Sequence, residues 1–178
     1  GLKGDTQYSD FTFMSGTSMA CPHVAGVAAY VKSFHPSWSP AAIRSAIITT
    51  AKPMSSRFNP DAEFAYGAGQ VNPRKAVSPG LVYDMDEMPY IQFLCHEGYS
   101  GAALSVLVRS ESINCSALVP AFGHDSLNYP TMQLALKTKT QMIAVFRRRV
   151  TNVGPPQSVY NATVRAPNGV DITVKPPD

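Results

Sequence analysis

The chain has 178 residues, 44% of them hydrophobic, and a formal net charge of +3 at pH 7, which argues against nucleic acid or a membrane as partner. At about 150 residues per domain, this length corresponds to one domain or two small ones. Its three cysteines and four histidines lack CxxC or HxxxH spacing, so we expect no structural metal and no cofactor.

The first helix is predicted close to the start of the chain. The chain begins Gly1-Leu2, without Met or an apolar signal segment, which is typical of a processed chain or a fragment. Residues 11–14 (FTFM) predict a short strand. Apolar residues then recur at helical spacing from Val24 to Phe34, and His35-Pro36 ends the pattern. We expect this helix to open near Ser18 and to be buried nearly all round, because no charge precedes Lys32.

Further helices are marked by their capping residues. Ser39 and Pro40 predict the start of a second helix, which Lys52-Pro53 ends. Asn72-Pro73 predicts a shorter helix over 73–77. Another is predicted from 86–89 to a stop at Gly98, followed by a helix over 101–108.

The hydrophobic period changes to two after about residue 125. Residues 160–166 and 170–174 alternate apolar and polar side chains around a turn at 167–169, and 127–136 and 142–150 predict two less regular strands. Four strands at this spacing are typical of a β-sandwich. Such a domain needs about 100 residues, so we expect the chain to hold only its first part.

Ser18 stands at a turn directly before the first helix. A helix N-terminus presents unpaired N–H groups and about half a positive charge, which would stabilise an oxyanion forming beside Ser18 Oγ. Gly16 would let the backbone pass close to a substrate. The alternative is that Ser18 only caps the helix. The spacing leaves both interpretations open.

A serine nucleophile needs a base, and the local candidates fit poorly. His23 follows Ser18 by five residues, so helix geometry places it roughly 140° around the axis. It is better interpreted as an ordinary helix histidine. The other histidines, His35, His96 and His124, have no recognisable acid–base context.

The run around Ser18 resembles a known catalytic segment. Residues 15–26 (SGTSMACPHVAG) are similar to the nucleophile segment of the subtilisin-like serine proteases, and residues 36–51 to the helix that follows it. Later runs resemble the plant, cucumisin-like branch of that family. They are 64–73 (FAYGAGQVNP), 79–84 (PGLVYD), 90–95 (YIQFLC), 127–130 (LNYP) and 150–154 (VTNVG).

The resemblance implies a serine endopeptidase that cleaves protein or peptide substrates through an acyl-enzyme, with Ser18 as nucleophile. Its backbone N–H would form half of the oxyanion hole. In that family the triad Asp and His, and an oxyanion-hole Asn, precede the serine. No His precedes Ser18 here, and Asp5 and Asp10 do not lie in the family's Asp motif. The triad partners are therefore expected from an upstream segment or companion chain, and the isolated chain is expected to be inactive.

The resemblance also implies an α/β fold in three parts. Residues 1–84 would be the C-terminal part of a parallel-sheet catalytic domain, and residues 85–124 a connecting helical and loop segment. Residues 125–178 would be the start of a fibronectin-III-like β-sandwich.

Cysteines and sequons indicate the compartment. Plant relatives carry a cysteine pair in similar places, so a Cys95–Cys115 disulfide is expected, and Cys21 is interpreted as a small core residue. Asn114-Cys115-Ser116 and Asn161-Ala162-Thr163 are potential glycosylation sites. Together these features favour a secreted protein, in a plant the apoplast. The basic run 147–149 is interpreted as a solvated strand face.

Two other functions remain open from the residues alone. An α/β-hydrolase esterase would also use a serine before a helix, but that fold needs Gly two residues after the nucleophile, where Ala20 stands. A non-enzymatic module, in which the β-domain binds a partner, would leave Ser18 as a cap.

Overall fold

A computed structural model of the chain describes residues 4, 10–57, 59–109, 113–118, 127–135 and 142–175. The chain divides into two compact units, Gly1–Val77 and Ser78–Asp178. Across the described ranges, none of the helices has the length and apolarity needed to cross a membrane. The elements in chain order are helices α1 (Thr17–Phe34), α2 (Pro40–Thr49), α3 (Glu63–Tyr66) and α4 (Pro73–Ala76), strand β1 (Leu81–Val82), helices α5 (Met88–His96) and α6 (Gly101–Val108), a 3-10 turn (Cys115–Ala117) and strand β2 (Thr151–Asn152).

Capping residues set the helix boundaries in the first unit. The Ser39 hydroxyl accepts the Ala42 N–H at 2.9 Å, which confirms the predicted start of α2. That helix ends at Thr49, somewhat before the predicted stop at Lys52-Pro53. At α4, Asn72 Oδ1 accepts the Lys75 N–H at 3.4 Å. Helix α3 has no side-chain cap at its start, and no sequence signal predicted it.

The core of the first unit lies where α1, α2 and α4 meet. Val27 and Val31 of α1 pack there against Ile43 of α2 and Ala76 of α4. These are the two buried residues of α1, so the prediction of nearly all-round burial is wrong. Its other large apolar side chains stay accessible, with Phe34 56% exposed, because α2 and α4 cover one face of the helix.

A single bridge closes the loop that follows α2. Lys52 and Gln70 exchange backbone hydrogen bonds of 2.8 and 2.9 Å in antiparallel pairing. Gly69 has a φ of +112°, and a Cβ placed there would lie 2.1 Å from the Lys52 carbonyl oxygen. Only glycine fits this position, because any side chain would break the bridge.

The second unit contains the predicted helices α5 and α6, which pack together. Gly98, with a φ of +89°, follows α5 as expected, and Ile91 of α5 and Leu104 of α6 are buried. A disulfide joins Cys95 at the end of α5 to Cys115 in the 3-10 turn, as the resemblance implied. Closing a loop of 20 residues stabilises the fold by about 3 kcal/mol.

The sheet of the second unit has two strands. β1 pairs with β2 antiparallel, with Leu81 opposite Asn152. The Tyr160 hydroxyl hydrogen-bonds Asn152 Oδ1 at 3.0 Å and the Gly80 carbonyl at 3.3 Å. One tyrosine therefore links the two strands at the end of the sheet where β1 begins and β2 ends.

The other predicted strands are absent from the described residues. Residues 11–14, 127–135, 142–150, 160–166 and 170–174 form no strand there, and the part of the chain that the structure describes contains no parallel sheet. Alternation predicts which side chains share a face, but a strand also needs a neighbour to pair with. The turn at 167–169 is confirmed: Val170 N–H donates to the Pro167 carbonyl at 3.2 Å, and Gly169 has a φ of +81°.

Candidate active site

Ser18 is the second residue of α1 and is exposed. The N–H groups of Met19 and Ala20 donate to the Gly16 carbonyl at 3.0 and 3.2 Å, so the first helical bonds begin just after it. The Thr17 and Ser18 N–H groups come before those bonds, where a helix leaves its donors unpaired. The first turn contains no acidic side chain to neutralise the helix dipole. The Ser18 hydroxyl therefore lies beside a locally positive helix end.

Gly16 shapes the approach to this helix. Its φ of +151° is one that side-chain-bearing residues rarely adopt, and the space around its missing Cβ is open to at least 4 Å. Gly16 is the N-cap residue, and no side chain caps the helix. The interpretation of Ser18 as a capping residue is therefore wrong. Pro22, four residues after Ser18, has no N–H to donate to the Ser18 carbonyl.

The described histidines are engaged elsewhere or lie in the other unit. His23 Nδ1 hydrogen-bonds the Met19 carbonyl of its own helix, as expected of an ordinary helix histidine. His35 stacks on Trp38, with ring centroids 3.8 Å apart, and its Nε2 hydrogen-bonds the Val77 carbonyl at 2.7 Å. His96 is exposed at the end of α5. His124 lies outside the described residues.

The other candidate groups form no second centre. Asp10 is exposed, and Asp5 falls outside the described residues. Cys21 is a free thiol and is exposed, so its interpretation as a small core residue is wrong for this structure. In the described ranges, no three His, Cys, Asp or Glu side chains come close enough to hold a metal ion.

A polar cluster in the second unit was missed by the sequence analysis. Asn128 Nδ2 donates to the carbonyls of Asp84 and Arg149, at 2.9 and 2.7 Å, and its Oδ1 accepts the Arg149 N–H at 2.9 Å. The Arg148 guanidinium donates to the carbonyls of Tyr129 and Thr131 at 2.6 and 2.8 Å. The expectation of a solvated basic face at 147–149 is therefore wrong for Arg148, which is half-buried.

This polar cluster borders an open cavity of about 470 Å³. Its lining includes Pro89 and Gln92 of α5, the arginine run 147–149 and Asn128. The hydrogen bonds of Asn128 and Arg148 hold backbone carbonyls in place, so these two side chains act as structural supports.

Comparisons with known proteins bear on both ends of the chain. Residues 2–69 match the profile of the Subtilase family, and residues 126–178 that of the Fibronectin type-III domain. The chain is 72% identical over 177 residues to Subtilisin-like protease SBT4.14 of Arabidopsis thaliana. The aligned region covers 99% of this chain and 24% of that protein. The chain belongs to the subtilase family.

Other subtilases from the same plant are also similar. Subtilisin-like protease SBT4.15 is 48% identical over 99% of this chain and 24% of its own length. Subtilisin-like protease SBT4.3 is 52% identical over 86% of this chain and 21% of its own length. The chain thus spans about a quarter of the length of these relatives.

The structure brings together some of the predicted site residues. Cys95 and Cys115 are bonded to each other, and Asn114 adjoins that bond. Ser18 and His23 share α1, whereas Asn161 lies in the second unit, in the region that matches the fibronectin type-III profile. The fold places Ser18 in the first turn of α1, with its side chain exposed.

Proposed function

We propose that this chain supplies the nucleophile, Ser18, of a secreted subtilisin-like serine endopeptidase. The observation that carries the proposal is the placement of Ser18. Its side chain is exposed in the first turn of an 18-residue helix whose N-cap residue is Gly16 and which has no side-chain cap. Membership of the subtilase family supports it, as does the length of the relatives, of which this chain spans 24%.

The chemistry follows from that placement. Ser18 Oγ attacks the carbonyl carbon of the scissile peptide while a base takes its proton. The carbonyl oxygen becomes an oxyanion, which the Ser18 N–H and the positive end of α1 stabilise. The amine leaves with a proton, and water then hydrolyses the acyl-enzyme. Protein or peptide substrates fit this reaction.

The base and its carboxylate partner belong to the remainder of the same protease, as an upstream segment or a companion chain. His23 and His35 are held by backbone carbonyls, which supports an external base. Removing the base of a triad costs several orders of magnitude in kcat. The isolated chain is therefore inactive under this proposal.

The domain assignment is part of the same proposal. Residues 1–84 form the C-terminal part of a catalytic domain, and residues 125–178 form the start of a fibronectin-III-like sandwich. Residues 85–124 connect the two domains. The parallel sheet of the catalytic domain comes from the remainder of the protease and covers the open side of α1. Exposed apolar side chains of α1 support this: Phe34 is 56% and Tyr30 44% accessible.

Secretion is supported by covalent features. The Cys95–Cys115 disulfide persists in oxidising compartments, and the sequences at Asn114 and Asn161 match the acceptor pattern for N-glycosylation, which takes place in the secretory pathway. The proposed location in a plant is the apoplast.

The test is a kinetic comparison in the full-length protein that contains this chain. Ser18→Ala should lower kcat on a peptide substrate by several orders of magnitude, whereas Ser33→Ala, at the exposed far end of α1, should not change it. A matched ester is assayed in parallel. Ester hydrolysis without peptide cleavage would favour an esterase, and equal behaviour of wild type and Ser18→Ala would favour a binding module. Either result contradicts the proposal.

A further inference from the structure

The two sequons lie in unlike surroundings. Asn161 and Thr163 are exposed, in a stretch with neither helix nor turn. The preceding residue, Tyr160, is anchored through its hydroxyl to Asn152 and Gly80. Because Tyr160 makes the structural contacts, a large group on Asn161 would not disturb them.

Asn114 and Ser116 are exposed as well, but they stand in a closed turn. Asn114 Oδ1 accepts the Ser116 N–H at 3.1 Å, so the first and third residues of the sequon are joined. The middle residue, Cys115, is bonded to Cys95, with the Cα atoms 5.6 Å apart. The middle of this sequon is therefore tied covalently to the end of α5.

We propose that Asn161 carries an N-linked glycan and that the Cys95–Cys115 disulfide withholds Asn114 from the same modification. The inference rests on the secretion proposed above. At Asn161 the amide nitrogen bonds to C1 of a lipid-linked oligosaccharide. The bond from C1 to the diphosphate oxygen breaks, the lipid diphosphate leaves, and the amide nitrogen loses one proton.

The competing reaction at Asn114 is thiol oxidation. The two thiols pass two electrons and two protons to a disulfide-bearing oxidoreductase of the secretory compartment, whose own disulfide is reduced. Cys95 is synthesised before Asn114, so its thiol is present when the sequon emerges. The transferase needs an open, flexible acceptor, and the bond to α5 removes that flexibility.

The experiment maps glycans on the full-length protein expressed in plant cells. Glycopeptide mass spectrometry should find Asn161 occupied, and Asn161→Gln and Thr163→Ala should each remove that glycan. Cys95→Ser should convert Asn114 from mostly unoccupied to mostly occupied. Cys115→Ala keeps the sequon but removes the thiol, so it should have the same effect. Glycan occupancy at Asn114 and Asn161 is measured on protein recovered from inside the cells. Variants that fail to fold and are not secreted are therefore still included in the measurement.

Three outcomes would overturn the inference. One is an unmodified Asn161 in protein recovered from the secretory pathway. Another is full occupancy of Asn114 in wild-type protein whose Cys95–Cys115 bond is intact. The third is an Asn114 that stays unoccupied in Cys95→Ser. Protein that never enters the pathway would instead contradict the proposed secretion, and the inference with it. The location of the protein thus distinguishes the two failures.

Discussion

Replacing Asn128 by alanine removes three hydrogen bonds that join distant parts of the second unit. Its amide donates to the Asp84 and Arg149 carbonyls and accepts the Arg149 N–H, at 2.9, 2.7 and 2.9 Å. Asn128 is half-buried, so each bond contributes near the low end of the usual range. Together they should stabilise the second unit by roughly 2 kcal/mol.

Calorimetry and hydrogen exchange on the full-length protein, in a Ser18→Ala background that prevents self-digestion, measure this loss. For a unit of this size, a loss of 2 kcal/mol lowers the melting temperature by about 10 °C. The Val153 amide donates to the Gly80 carbonyl at 2.9 Å and keeps that acceptor in the variant, so its exchange should become about 30-fold faster if it proceeds through opening of this unit. The Arg149 amide loses its acceptor, and its exchange should accelerate at least as much.

Two control variants separate the bonds from general damage. Asn128→Asp keeps an acceptor for the Arg149 N–H but loses both donors, so the Arg149 amide should keep part of its protection. Asn168→Ala changes an exposed turn residue of the same unit and should cost less than about 0.5 kcal/mol. An unchanged melting temperature and unchanged Arg149 exchange in Asn128→Ala would refute the assignment of Asn128 as a structural support.

Two further substitutions test the first unit, again by calorimetry of the full-length protein. Gly69→Ala places a Cβ 2.1 Å from the Lys52 carbonyl oxygen and should destabilise the unit by several kcal/mol, whereas Gly67→Ala, with open space around its Cβ, should cost only about 1 kcal/mol. Equal effects of the two would contradict the proposed clash. Ser39→Ala removes the cap of α2 and should cost about 1 kcal/mol, against little for the exposed Ser37→Ala; no difference between them would show that the cap is not stabilising.

The features predicted from sequence are those that depend on neighbours in the chain. Ser39 and Asn72 cap their helices through the residue three positions later, and the turn at 167–169 closes within four residues. The placement of Ser18 at a helix start follows from Gly16 and the apolar pattern after it. These interactions are local, so the sequence contains nearly all the information they need.

The features that were missed depend on distant partners. Asn128 reaches carbonyls 21 and 44 residues away, and Tyr160 reaches Gly80 across 80 residues. No periodicity marks such contacts. The exposure of α1 was also mispredicted, because an apolar helix surface shows that a cover is needed but does not show what supplies it. Helix α3 lacks capping side chains and so gave no signal.

The central claim is that Ser18 is an activated nucleophile, and covalent labelling tests it most directly. Native full-length protein is treated with a fluorophosphonate probe, digested and mapped by mass spectrometry. We expect the label on the Ser18 Oγ, with loss of labelling on prior denaturation and in Ser18→Ala. Label on another serine, or no label on folded protein, would contradict the account.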